Sequence, residues 1–532
     1  MTVQTLHVER FIWHNLLNCY LRELQPPTRQ VGRDLHIELP RTHQLLKVAL
    51  QSADPLQFGE QIWLKVHHQW HPTRWQEVGE VLARELTAQT GEENPEFLHQ
   101  LEESARFTLR FLQDASPAPQ DSYLHSEQSL TLGHRFHPTP KSRSGSLSSW
   151  EKYSPELKTR FVLRYFAVQE AYFETNAPDL TRFEHENIKA PEGYRLLPAH
   201  PWQARLALAQ PAIKQALEKG ILLDLGEGSV HYAPTSSIRT LYREGHPWFY
   251  KFSLHARITN CLRKNAHYEL TGAALLTEHM RPVLQDLAQV FPETRVLLEP
   301  AYCTVKLDTH SKEYLGMLLR ENPAPDLRDG EALVLCATLT DEAAQHPAHL
   351  SRVSSKDLLP WWKAYLRQTV APVLHLFFQH GVVLEPHLQN VLIVLRDGLP
   401  AQAIFRDLEG TKVLPEHHSD LLQNAPQEVR KAITYDRDQG WKRVAYCLLV
   451  NHLLEVGKGI LIQNPQLKQD AWQALADEVE AHQQKFGAEP ELQDLLSGSP
   501  LPGKANLLNR WQRQADREAG YVPVANPLKE LR

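Results

Sequence analysis

GVVLEPHLQNVLIVLRDGLPAQAIFRDLEG, residues 381–410, decides the fold class. The unbroken apolar run VLIVL (391–395) reads as a strand buried on both faces. RDG supplies a tight turn, and AIF (403–405) ends the return strand. Segments with helical spacing lie on both sides of this hairpin. One covers about 360–379; the others are WKRVAYCLLVNHLLEVGKGIL (441–461), DAWQALADEVEAHQQKF (470–486) and NLLNRWQRQADREAG (506–520). Strands followed by a run of helices make this an α+β chain, with a mixed or antiparallel sheet core and a helical C-terminal part.

Further out, AYCTVKL (301–307) and EALVLCATL (331–339) read as strands. SSIRTLY (236–242) and WFYKFSLHARI (248–258), separated by REGHP, predict a β-hairpin, with a helix from about 259 to 280. Residues 154–174 read as one long helix, followed by a connection rich in proline (Pro191, Pro198, Pro201). The first 115 residues read mainly as helices, with one extended stretch near 30–47. ASPAPQDS (115–122) marks a boundary. Three parts follow: a mostly helical 1–120, a mixed 121–300, and 301–532.

The chain has 532 residues, enough for two or three lobes. Its net charge of −6 supplies no basic field for nucleic acid, so any anion site must be a local patch. Five cysteines are scattered without a CxxC pair, which implies free thiols in a reducing, cytoplasmic setting. MTVQTLHVERFIWHN carries no secretory pattern, and no run of about 18 uncharged apolar residues is present, so no membrane partner is expected.

Three polar constellations stand out. GHRFHPTPKSRSG (133–145) holds His134, Lys141 and two arginines in a loop shaped by Pro and Gly. It is either a phosphate or carboxylate loop or a solvated basic one. In the predicted hairpin, Ser237 and Arg239 share a strand face, and Lys251 can lie across from them. A hydroxyl, a guanidinium and an ammonium on one face make a triphosphate cradle; the alternative is an edge hairpin with basic residues on show. Arg257, Thr259, Asn260 and Arg263 follow, with Thr259 and Arg263 one helical turn apart. The third is EPHLQN (385–390) with FRDLEG (405–410). Asn390 and Asp407, facing each other across a hairpin, suit Mg²⁺ against ATP phosphates. A kinase places a catalytic Asp ahead of that Asn; here Glu385-Pro386-His387 stands there. HHQWH (67–71) lacks partners at metal-ligand spacing and reads as a surface cluster.

GHRFHPTPKSRSG, PAHPWQ (198–203), SSIRT (236–240), KFSLHARITNCLRKN (251–265) and EPHLQN with RDLEG together resemble the signatures of the IucA/IucC family, the NRPS-independent siderophore synthetases. The blocks stand in family order and span about 127–410. The resemblance implies a three-lobed cupped hand of thumb, fingers and palm. It implies ATP activation of a carboxylate, usually of citrate, as an acyl adenylate with pyrophosphate leaving. An amine or hydroxyl then attacks, and the enzyme is a homodimer. It assigns triphosphate contacts to Ser237, Arg239, Thr240, Lys251 and Arg263, with His387 and Gln389 also on the nucleotide. It puts His134 and Lys141, beside Lys251 and Arg263, at the reacting centre. It gives Thr259, Asn260 and His387 to the carboxylate substrate, and Glu385, Asn390 and Asp407 to Mg²⁺. The competing readings are a kinase-like phosphotransferase built on Asn390 and Asp407, and a non-catalytic nucleotide-binding protein.

Overall fold

The computed structural model describes residues 2–183, 187–258, 261–340, 349–514 and 520–531. The 381–410 hairpin forms as read: Val391–Arg396 pairs antiparallel with Leu399–Phe405. Glu331–Leu335 adds antiparallel on one side, and Thr294–Val296 adds parallel on the other. Both faces of this mixed four-stranded sheet are covered, which explains the unbroken apolar run. Val391, Ile393 and Leu395 face a core built with the Leu358–Phe378 helix, where Trp361, Trp362 and Tyr365 are fully buried. Leu392, Val394 and Ile404 face the other way, onto Tyr123, Tyr242 and Phe249.

That second contact joins the small sheet to a large one of eight strands. Its order is Phe173–Thr175, Ala301–Val305, Met317–Glu321, Trp248–Phe252, Thr240–Tyr242, Leu222–Pro234, Phe161–Gln169, Tyr194–Ala199. Every pairing in it is antiparallel.

The structure corrects the sequence reading in five places. The expected 154–174 helix is a short 3₁₀ turn, Pro155–Leu157, then the Phe161–Gln169 strand. FVLRYFAVQ is rich in β-branched and aromatic residues, and flanking strands on both sides outweigh its helix-like spacing. The 236–258 hairpin is shorter than expected. Thr240 pairs with Lys251, but 235–239 is a turn, so Ser237 and Arg239 do not share a strand face. The next helix is His267–Val290, so Arg263 lies in extended chain ahead of it. A boundary at 300 would cut the large sheet, because Ala301–Val305 and Met317–Glu321 are two of its strands.

The first 120 residues are not mostly helical. Helices Val3–Leu24, Trp75–Thr90 and Phe97–Leu112 pack on a five-stranded antiparallel meander spanning residues 28–72. The Asn506–Trp511 helix returns to this core through Leu507 and Trp511.

Arg437–Gln463 is long and apolar enough to cross a membrane, but 78% of its apolar window is buried inside the protein, as befits a core helix. Cys19, Cys303, Cys336 and Cys447 are buried free thiols.

Burial holds the imidazoles of His14, His134, His255, His418, His452 and His482 at about 4, and that of His200 at about 3. Their folded-state values lie below the unfolded one, so they cost stability as pH falls from about 6.5, where the unfolded chain takes up protons first. Burial moves Glu23 and Glu269 the opposite way, to about 7. Seven groups outnumber two, so the thermal midpoint should drop steadily between pH 7 and pH 5. A midpoint that stays level over that range would contradict this.

Candidate functional site

A cavity of about 1270 Å³ opens where the N-terminal helix, the large sheet and the C-terminal helices meet. Each described residue to which the resemblance assigns a role lines it: His134, Lys141, Ser237, Arg239, Thr240, Lys251, Arg263, Glu385, His387, Gln389, Asn390 and Asp407; Arg257 is exposed and does not. Thr259 and Asn260 lie outside the described residues. Ligand pockets commonly measure about 300–1,000 Å³, so this one has room for more than one substrate.

A buried ion network forms its floor. Lys251, 1% exposed, reaches Asp407, Glu409 at 2.9 Å and Glu299 at 3.3 Å. Arg320 clamps Glu299 through Nε (2.8 Å) and Nη2 (2.6 Å), and Nη2 also reaches Asp407 at 2.8 Å. Arg239 donates to Glu409 at 2.7 Å and to Asn265. Arg406 donates to Glu127, to the Tyr123 hydroxyl at 3.1 Å, and to the Gln389 carbonyl. Burial alone would raise the carboxyl pKa values. Lys251, Arg320 and Arg239 outweigh it at Asp407, which sits well below its usual range. Arg239 and Lys251 likewise hold Glu409 at about 2. Both acids are therefore ionised near neutral pH.

Two backbone conformations beside this network are unusual. Asp407 has φ 83° and Ile238 has φ 69°. Positive φ is uncommon without glycine and an outlier for a β-branched residue, costing on the order of 1–3 kcal/mol. Ile238 sits in the turn that holds Ser237 and Arg239; Asp407 is the second residue after the 399–405 strand. Gly410 permits a close approach: a Cβ there would lie 2.6 Å from a Glu385 carboxylate oxygen.

Histidines and another ion cluster make the walls. His387 Nδ1 accepts the Gln389 backbone N–H at 3.3 Å, and burial lowers its pKa. The neutral ring therefore carries its proton on Nε2 and is a donor there. His134 Nδ1 accepts the Phe136 N–H at 3.0 Å, and its Nε2 lies 2.7 Å from the Asn451 amide. Lys141 is anchored to Glu156 at 2.7 Å and to the Leu130 carbonyl. Burial opposes ionisation of Glu156, but Arg143 and Lys141 hold it at about 2. Gln389 reaches Ser236 at 3.3 Å, and Glu385 faces Arg443 at 3.4 Å. Arg263 is half-buried and has no acidic partner among the described residues.

Sequence reasoning passed over Arg320, Glu299, Glu127 and Glu269, as well as Arg10 and His14 of the first helix, all near or on this surface. A signal existed for the first two. Each is a charge set against an apolar run, in MLLRE (317–321) and LLEP (297–300), and buried charges demand partners. Glu269 gave no such signal, because within the expected 259–280 helix it looks like an ordinary solvent-facing acid.

The network and Arg263 should respond differently to truncation. Glu299→Ala leaves the buried network of Lys251 and Arg320 one negative charge short and should cost about 3–5 kcal/mol in denaturant unfolding. Arg263→Ala should leave stability within about 0.5 kcal/mol. Equal stability of the two variants would contradict the network's structural role.

Residues 122–341 match the model of the IucA / IucC family, and residues 359–519 match that described as ferric iron reductase FhuF-like transporter. The second segment contains one cysteine, Cys447, buried with its thiol pushed up by that burial. The chain is 28% identical to an L-2,3-diaminopropanoate–citrate ligase of Staphylococcus aureus, over 96% of this chain and 95% of the relative. It is 29% identical to a spermidine–citrate ligase of Bacillus anthracis, over 77% of this chain and 76% of that one. Among solved structures, ATP-bound aerobactin synthetase IucA of Klebsiella pneumoniae superposes with a TM-score of 0.88 at 24% identity, covering 97% of this chain and 99% of that one. The IucA / IucC signature over residues 122–341, a relative matched nearly end to end and a shared fold all point to the same family, IucA/IucC.

Proposed function

We propose that this protein is a siderophore-biosynthesis ligase that activates a carboxylate of citrate, or of a citrate derivative, with ATP. Pyrophosphate leaves, and the acyl adenylate is captured by an amine or hydroxyl to give an amide or ester. One observation carries the reading: a single cavity, larger than one ligand needs, collects the cations and oxygen donors. The relatives are named for joining citrate to amines, which agrees with it.

Citrate and ATP are both polyanions. Two unit charges about 4 Å apart repel by about 4 kcal/mol at an effective dielectric of about 20. Arg239, Lys251 and Arg263 are placed to offset that on the triphosphate. His134 and Lys141 sit on the wall assigned to the reacting centre. His387, as an Nε2–H donor, suits a carboxylate oxygen or the oxyanion that forms when the amine attacks. Thr259 and Asn260 keep the substrate role the resemblance gives them.

Asp407, Glu385 and Asn390, with Glu409, are hard oxygen donors lining the cavity, and the low pKa values of Asp407 and Glu409 keep those two ionised. This set fits Mg²⁺, which when bound would neutralise part of the triphosphate charge.

The attacking amine must lose a proton. His387 is a donor in this tautomer, so Glu385 and Glu269 are the wall carboxylates for that task. Burial and nearby Glu409 raise Glu269 to about 7, close to the working pH of a general base. We assign the role to Glu269. The resemblance adds a homodimer working in the cytoplasm.

A carboxylate panel with hydroxylamine as the trap tests the activity. Citrate or a citryl monoamide should yield a hydroxamate with AMP and pyrophosphate; ADP formed on an alcohol acceptor would establish the kinase-like alternative instead. ATP bound without turnover of any acid would make it a non-catalytic nucleotide-binding protein. Arg263→Ala should raise the KM for ATP about 10–150-fold, the worth of one charge-assisted hydrogen bond. Glu269→Gln should lower kcat about 10²–10⁴-fold and flatten the rise of rate with pH near 7. An unchanged pH profile in that variant would move the base elsewhere.

A further inference from the structure

Away from the cavity, three potential ligands converge. Asp286 lies near the end of the His267–Val290 helix. His375 is in the last turn of Leu358–Phe378, and His380 is in the turn that follows. His380 Nε2 is 2.8 Å and His375 Nε2 is 3.4 Å from the same Asp286 oxygen. One ligand atom from each lies within 4.8 Å of the other two. None of the three lines the cavity.

We propose that Asp286, His375 and His380 form a binding site for a divalent first-row transition ion such as Zn²⁺. Metal–ligand bonds of about 2.0–2.1 Å in a tetrahedral site put neighbouring ligand atoms about 3.3 Å apart. The two measured separations bracket that value, so small side-chain rotations admit an ion. Two imidazoles and one carboxylate select such an ion over Mg²⁺ or Ca²⁺, which prefer oxygen. The surroundings also favour an ion. His375 is buried, which fixes its ring beside Asp286. The rings of Phe291 and Phe486 pack against it at 5.3 and 4.7 Å. The His380 turn is held in place, since His418 Nε2 contacts the His380 carbonyl at 2.6 Å and His279 contacts His418 at 2.7 Å. The Asp286 side chain is 49% exposed and leaves a way in. An ion here ties the helix that begins near Glu269 to the segment that runs from His380 into Glu385, so it would brace two walls of the cavity from outside.

The test uses the full chain with any affinity tag removed. Zn²⁺ is titrated calorimetrically in excess Mg²⁺, and Co²⁺ is followed by its visible ligand-field bands. One equivalent of Zn²⁺ should bind with micromolar or tighter affinity, and Co²⁺ should show imidazole ligation. Asp286→Asn and His380→Ala should each weaken binding at least about tenfold. His68→Ala, in the surface cluster of residues 67–71, should change nothing. Asp286 is half-exposed, so the asparagine variant gives an answer even if His380→Ala fails to fold. No binding in excess Mg²⁺, or equal affinity in wild type and Asp286→Asn, would overturn the site and leave an ordinary hydrogen-bonded cluster.

Discussion

The buried ion network of Lys251, Arg239 and Arg320 with Asp407, Glu409 and Glu299 is the constraint on which the rest of the structure depends. Three cations and three carboxylates balance, so the floor of the cavity is close to neutral. Removing these charges from water is expensive, and the interaction is favourable only if each finds its partner with good geometry. The network therefore fixes how the two sheets sit. Lys251 and Arg320 come from adjacent strands of the large sheet; Asp407 and Glu409 come from the exit of the small one. The apolar contact between Leu392, Val394 and Ile404 and Tyr242 and Phe249 holds the sheets together nearby.

This arrangement changes the meaning of the lysine. Read from the sequence, Lys251 is either a phosphate contact on a hairpin face or a basic residue on show at a sheet edge. In the structure it is buried and already paired. Its carboxylates hold its charge aimed at the cavity, a preorganised state that needs little rearrangement when a polyanion arrives. Arg263 is the contrasting case, a cation with no acid of its own among the described residues.

What the sequence made legible follows from local physics. The 391–405 hairpin was readable because one continuous apolar run and one Asp-Gly turn leave few alternatives. The residues of the site were readable as polar groups set in apolar or Pro-Gly-shaped segments, and the described ones line one cavity. The 28–72 meander was largely missed because its strands are half-exposed, with weak alternation, between strongly helical neighbours. FVLRYFAVQ was misread because spacing alone cannot tell a buried strand from a helix, and its partner strands come from 194–199 and 222–234. Arg320 and Glu299 were missed because their roles exist only after strands distant in sequence have paired.

The account's central claim is that the carboxylate is activated at the α-phosphate and leaves its own oxygen behind. Citrate labelled with ¹⁸O in its carboxylates, turned over with ATP and an amine acceptor, tests this most directly. Mass spectrometry of the nucleotide should show one ¹⁸O in AMP for each bond formed, because the amine displaces the adenylate with its bridging oxygen. Label appearing in inorganic phosphate, with unlabelled ADP, would show attack at the γ-phosphate and contradict the account.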